Sequence, residues 1–524
     1  MKKVIALLLI IGMLATTGCS PNNQQEVVKR DEVIISVGTV LLAGGYDPIA
    51  GYGVWGPDIF HSALLRFNLE SKLEADLATD YEISKDGLTY TYHLREDAKF
   101  ADGEPLTADD IVFTFMNAKA SGSPADLTML EDAKAEDDYT VVFSLNKPWS
   151  PFLTTTATIG IVPEHAYNEQ YGDNPIGAGP WKVAEFQKEQ QLILVPNEYY
   201  YGEKPILQKV TFLKVDEQTA LATAKSGQLD LILVESEFAK SEIEGMNLVS
   251  LETVSGLVIN FPTIEEKVSE NGELVGNNVT SDIAIRKALN IGIDRELIIE
   301  NALNGIGDPA YGWSAELPWG NADAYFEDNR LEEAKKILED AGWVDTNGDG
   351  IREKQGVKAE FTVTGRSDDL QRYNTVIAVS EQAKNLGINI IVESAPWSKC
   401  RVAQATPTCW IFGSHNPMDV YRYYHSSQTG EGVIGNPSSY SNPKVDEYID
   451  KALSASTEDK ANEYWRLSQW DGSTGMKEDY PYLWIANSRL TYFVKEGLDI
   501  GEQRVHVRSQ GISVIENLHE WSWK

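Results

Sequence analysis

The stretch 78–115, ATDYEISKDGLTYTYHLREDAKFADGEPLTADDIVFTF, carries three kinds of structural punctuation in a fixed order. Leu88, Tyr90, Tyr92 and Leu94 alternate with Thr89, Thr91, His93 and Arg95, so Gly87–Arg95 reads as a half-buried β-strand with one apolar face. Asp102-Gly103 is a strong turn dipeptide. Thr107 then precedes Ala108, Asp109 and Asp110 as an N-cap precedes an acidic first helical turn. The segment therefore predicts strand, turn and helix.

Within it, the order Lys99-Phe100-x-Asp102-Gly103-x-Pro105-Leu106-Thr107-Ala108-x-Asp110-Ile111-x-Phe113 resembles the signature of the peptide/nickel family of solute-binding proteins, the receptors of ATP-driven importers. Asn174–Val183 (NPIGAGPWKV) resembles that family's P-I-G-T-G-P-Y, and Tyr46-Asp47-Pro48 its turn toward the cleft. Ser255–Phe261 resembles the strand that crosses into the second lobe, and Ser281–Asn290 with Ile293-Asp294-Arg295 that lobe's first helix. The resemblance covers the whole mature chain. It implies an α/β, two-lobed periplasmic-binding-protein-like fold with an inserted subdomain in the first lobe. The expected boundaries are 33–64, 181–261 and 488–524 for lobe I, 65–180 for the subdomain and 262–487 for lobe II. Asp58–Leu65, with apolar groups at helical spacing, reads as a helix with His61 near its start.

Length and charge agree with this scheme. A chain of 524 residues exceeds the ~250–300 at which one core stops growing, so more than one domain is expected. A net charge of −34 repels phosphate backbones and anionic headgroups, which excludes nucleic acid as a partner class.

The N-terminus reads as a leader. Met1-Lys2-Lys3 is a positive n-region, Val4–Leu14 an apolar core too short to span a membrane, and Thr16-Thr17-Gly18-Cys19 resembles a lipobox. Residues 1–18 are expected to be a signal peptide, Cys19 the lipidated residue and 19–32 a polar tether. The body would be a monomer on the extracytoplasmic face of the bacterial membrane, touching it only through the lipid.

Other motifs carry less. Cys400 and Cys409 are the remaining cysteines, and outside the cytoplasm both a disulfide and two free thiols are compatible with them. Asp345-Thr346-Asn347-Gly348-Asp349-Gly350 opens like a calcium loop, but its twelfth position is Gly356, so a turn held by Asx side chains is the better reading. No G-x-S-x-G, H-E-x-x-H or phosphate loop stands in context, which leaves a secreted hydrolase as a distant alternative and implies no cofactor.

By resemblance, three places line the cleft: Trp55 to His61; Trp410–Pro417, similar to W-G-A-H-N-P in a nickel-associated branch; and Gln503–Gly511, where that branch shows I-H-P-H-G-H-G-W. The candidate ligand-binding residues are Trp55, His61, Arg366, Trp397, Phe412, Ser414, His415, Asn416, His506 and Arg508. His61, His415 and His506 would serve a metal chelate, since borderline metals favour imidazole nitrogen. Arg508 instead suits a carboxylate and repels a bare cation. The ligand implied is a di- or oligopeptide, with a nickel or other transition-metal chelate as the alternative, delivered to the importer's permease subunits. Ser414, His415 and Asn416 offer no carboxylate for a ligand ammonium; the nearest is Asp419.

Overall fold

A computed structural model describes residues 30–38, 45–54, 56, 58–269, 272–400, 405–430, 435–507 and 512–524. Asp31–Lys524 form one compact unit. The expected signal peptide, Cys19, Trp55 and Arg508 lie outside the described residues.

The opening stretch folds as its pattern demands. Thr89–Leu94 is a strand with Tyr90, Tyr92 and Leu94 buried, because alternation sends those three to one face. It pairs antiparallel with Ala78–Ile83 and with Thr140–Leu145, and Leu130–Asp137 completes a four-stranded sheet. Helix Ala108–Ser121 covers that sheet. The Thr107 amide donates to Asp110 Oδ2 at 2.9 Å, and Gly122 ends the helix at φ 72°. Phe115 lies 4.8 Å from Phe143 in the buried seam between them.

The first lobe is built on a seven-stranded sheet in the order Met246–Leu251, Leu490–Lys495, Leu231–Val234, Glu32–Ser36, Lys209–Leu213, Gln191–Pro196, Trp181–Gln187. Glu32–Ser36 runs parallel to both of its neighbours. Helix Glu217–Lys225 supplies the crossover between those neighbours, capped where Asp216 accepts from the Thr219 amide at 3.0 Å. The second lobe carries Gly307–Pro309, Tyr482–Ser488, Gly256–Asn260 and Cys409–Phe412 in antiparallel order. Helices Ile283–Gly292 and Arg295–Leu303 share its core.

Two sequence expectations need correction, and one left open is resolved. Gly256–Asn260 belongs to the second sheet, so the chain changes lobes between Leu251 and Gly256 rather than after 261; every residue of this strand is buried between Cys409–Phe412 and Tyr482–Ser488. Asp58–Leu65 is not a helix. Asp58 Oδ1 captures the amides of Phe60 and His61 at 3.0 and 2.9 Å, and the Phe60, Ser62 and Ala63 carbonyls accept from Gly179, Ile161 and Leu77, which leaves no i→i+4 ladder. Gly177 and Gly179 permit that approach, since a Cβ on Gly177 would stand 2.0 Å from the Phe60 oxygen. Cys400 and Cys409 are both free and buried.

Two strands cross between the lobes side by side. The Ser488 amide donates to Ser255 O at 2.9 Å and Thr253 Oγ1 to Ser488 O at 2.5 Å. Arg489 joins them, donating through Nε and Nη2 to Asp308 at 2.7 Å each and through Nη2 to Glu252 at 3.1 Å. Among the described residues, no helix is long and apolar enough to cross a membrane.

Candidate functional site

A cavity of about 1210 Å³ lies at this crossing. Val234, Glu235 and Thr491 line it from the first sheet, Ile411 and the 413–416 turn from the second, and Thr154, Thr155 and Thr158 from the inserted segment. The lobes touch across its rim. Gln371 Nε2 donates to Glu235 Oε2 at 3.2 Å, and the Ser150 amide and hydroxyl donate to Leu453 O and Ala452 O at 2.8 Å each.

The 413–416 turn is fixed by backbone geometry. Gly413 has φ 140°, and a Cβ there would stand 2.2 Å from the Val254 carbonyl oxygen on the crossing strand. Ser414 Oγ donates to Asn416 O at 2.9 Å and accepts from the Asn416 amide at 3.1 Å, and Asn416 Oδ1 accepts from Met418 N at 3.0 Å. Short helix Met418–Tyr424 follows. It places Asp419, Arg422 and Tyr423 on the cavity wall. Asp419 meets Arg422 Nη1 at 3.4 Å. Burial pushes its pKa up to about 6 against the pull of that guanidinium.

Among the expected site residues, Arg366, Ser414, His415 and Asn416 line the cavity, while His61, Trp397, Phe412 and His506 are not part of its lining. Phe412 is stacked on Tyr423 at 4.0 Å between centroids and belongs to the core. Trp397 packs edge-on against Trp410 at 5.7 Å and under Arg366 at 5.1 Å. Arg366 reaches Asp368 through Nε at 2.5 Å and Nη2 at 2.8 Å, and Arg372 meets Asp369 at 3.0 Å. Arg422, Tyr423 and Arg489 were not anticipated. The i,i+3 pair Asp419/Arg422 ahead of Tyr423-Tyr424 was the available signal for two of them.

The three histidines do not converge. His61 Nδ1 faces the Asp58 carboxylate at 2.9 and 3.0 Å and its Nε2 faces Tyr171 Oη at 2.7 Å. His506 Nε2 faces Gln503 Oε1 at 3.0 Å and its Nδ1 faces Glu516 Oε2 at 3.5 Å. His415 Nε2 faces Arg504 Nη1 at 2.8 Å. Burial first, then Arg504, pushes the His415 pKa down to about 3. Among the described residues, the grouping that brings three metal-type ligands within 4.8 Å is Asp345, Asp349 and Glu353, on the surface. There Asp345 accepts from Gly348 N at 2.7 Å and Gly350 N at 3.0 Å, and Lys358 sits 2.6 Å from Asp349, so the segment is a turn held by Asx bonds.

Charge in the cavity is close to balance. Asp126, Glu235, Asp368, Asp369 and Asp419 face Arg366, Arg372, Arg422 and Arg489, five against four, although the whole chain carries −34. Such a wall suits a ligand bearing both signs better than a bare cation or a polyanion.

Known proteins place the chain. Residues 72–485 match the model of the bacterial extracellular solute-binding proteins, family 5, middle region. The chain is 31% identical to protein XP55 of Streptomyces lividans over 421 residues, 77% of this chain and 74% of that one. It is 29% identical to the oligopeptide-binding protein AppA of Bacillus subtilis over 455 residues, 82% of this chain and 80% of that one. The fold superposes on AppA solved with a nonapeptide at TM-score 0.69, with 23% identity and coverage of 95% of this chain and 99% of that one. It superposes on NikZ of Campylobacter jejuni solved with Ni(L-His) at TM-score 0.73, with 23% identity and coverage of 94% and 100%. With a family match across most of its length and the two-lobed fold and cleft to go with it, the chain belongs to family 5 of the bacterial extracellular solute-binding proteins.

Proposed function

We infer that this protein is the receptor of an ATP-driven importer, held to the extracytoplasmic face of the membrane by a lipid on Cys19, and that it hands a short peptide to the permease subunits. The carrying observation is the cavity. At about 1210 Å³ it exceeds the roughly 300–1,000 Å³ typical of small-molecule sites, and its walls mix guanidinium, carboxylate, hydroxyl and backbone groups. A peptide meets such a wall with charged ends and an amide backbone. Asp419 faces the ammonium end in this reading and Arg366 the carboxylate. AppA, which is similar in sequence and fold, was solved with a nonapeptide.

A nickel chelate is the second reading, favoured by the likeness to NikZ. Against it stand the ring nitrogens of His61 and His506, all within 3.5 Å of protein partners. Work is done by closure alone. Ligand that contacts both lobes binds the closed state better than the open one, and that difference shifts the population. A thermal-shift screen against di- to nonapeptides and against Ni²⁺ with excess histidine tests the reading. At ~100 times its Kd a ligand adds roughly 2.7 kcal/mol. Shifts with peptides support the reading; a shift with the nickel mixture alone overturns it.

A further inference from the structure

Asn416 spends three of its four polar atoms inside the fold. Its amide donates to Ser414 Oγ at 3.1 Å, and its carbonyl accepts from Ser414 Oγ at 2.9 Å and from the Asp419 amide at 3.5 Å. Its Oδ1 accepts from the Met418 amide at 3.0 Å, at the start of the helix that carries Asp419. The fourth atom is left over. Among the described residues, Nδ2 has no hydrogen-bond partner.

The bond to Met418 decides which way this amide points. A backbone N–H needs an oxygen opposite it, and turning the side chain over would set NH₂ against N–H. Nδ2 is therefore the outer end of a side chain clamped at its other end. Asn416 is part-buried and lines the cavity, and Nδ2 keeps open surface, whereas the neighbouring His415 Nδ1 is sealed. Two N–H donors thus stand on the wall of the ligand site, on a side chain that loses little freedom when a ligand binds. A ligand that covers them with carbon leaves both unmade; one that brings an oxygen satisfies them.

We propose that Asn416 sets ligand specificity by donating from Nδ2 to an oxygen next to the ammonium that Asp419 faces, so that the site favours compounds in which a carbonyl follows an α-ammonium. The idea rests on the peptide reading, in which that oxygen is the first main-chain carbonyl. Asp419 lies three residues on and lines the same cavity, and its amide is already bonded to the Asn416 carbonyl, which keeps the two side chains neighbours. The Asn416 side chain then has two separable tasks. Its Oδ1 holds the Met418 amide, and its Nδ2 addresses the ligand.

The experiment is calorimetry on the purified protein with two probes, pentaalanine and the same peptide with a thioamide in place of its first carbonyl, since sulfur is the weaker acceptor. Wild type should prefer the oxygen peptide severalfold. Asn416→Ser keeps an oxygen for the Met418 amide and removes the amide donors; it should retain the thermal midpoint of the ligand-free protein, bind pentaalanine roughly tenfold more weakly and no longer distinguish the two probes. Asn416→Ala should bind as weakly and also melt earlier, because it loses both tasks. A residue that served the fold alone would be rescued in both respects by serine. Wild type that binds the two probes equally, Asn416→Ser that binds pentaalanine as tightly as wild type, or a preference for oxygen that is the same in both proteins would each overturn the proposal. The first of these is read on wild type and holds whether or not the variants fold. Wild type that binds neither probe overturns the proposed function, and this proposal with it.

Discussion

Replacing Asp419 by Asn should stabilise the ligand-free protein at neutral pH while weakening peptide binding. The Asp419 side chain is 12% exposed, and its counter-charge, Arg422, is 3.4 Å away and itself partly in solvent. Burial therefore outweighs pairing and moves the pKa from 3.8 to about 6. At ~1.36 kcal/mol per pH unit, holding that carboxylate ionised costs the folded state roughly 3 kcal/mol. The sign follows from the raised value. Below pH ~3.8 the group is neutral both folded and unfolded and no penalty exists; the penalty grows as pH rises toward 6 and is complete above it. An amide of the same shape escapes it. Urea denaturation of wild type and Asp419→Asn at matched pH values from 4 to 8 should show equal stability near pH 4 and an advantage for the variant of about 1–3 kcal/mol above pH 6.5. Taking the difference at each pH cancels every other titrating group. A difference that stays flat with pH, or a variant less stable at pH 7.5 than at pH 4 relative to wild type, would refute the reasoning. Strain of this kind is what a binding site stores and a ligand ammonium relieves.

Other outcomes follow from the same geometry. Gly413→Ala should destabilise by about 1–3 kcal/mol in thermal unfolding, and lower peptide affinity, because its Cβ would collide with Val254 O at 2.2 Å in a backbone region closed to L side chains. Phe115→Ala, which empties the seam against Phe143, should cost about 3–5 kcal/mol of stability in denaturant titration. Cys400 and Cys409 should resist a thiol reagent in the native protein and react after unfolding without reductant, since burial raises both thiols, Cys409 to about 12, and no bond joins them.

Legibility in the sequence tracked the range of the interactions. Gly87–Arg95, the Asp102-Gly103 turn and the helix after Thr107 depend on residues within a few positions of one another, and each forms as read. Asp58–Leu65 has helical spacing, yet Asp58 and the distant Gly160–Gly179 segment compete for its backbone and win. The lobe boundary slipped because the apolar run Leu257–Ile259 within Ser255–Phe261 carries no mark of which sheet it joins. In the site, Ser414, His415 and Asn416 were found through resemblance, and Arg366 beside them. His61 and His506 were drawn out of the wall by Asp58, Tyr171, Gln503 and Glu516, partners that are polar but unremarkable in sequence. Arg489 gains its place only because two crossing strands meet, and no local pattern announces that.

The most direct measurement is calorimetry of the protein with pentaalanine and, separately, with Ni²⁺ and excess histidine, each at several temperatures. Peptide enclosed by two lobes should bind one to one with a negative heat-capacity change, the mark of apolar surface leaving water, while the nickel mixture gives no saturable heat. Saturable binding of the nickel–histidine mixture with no heat from any peptide would contradict the peptide-receptor reading at its root.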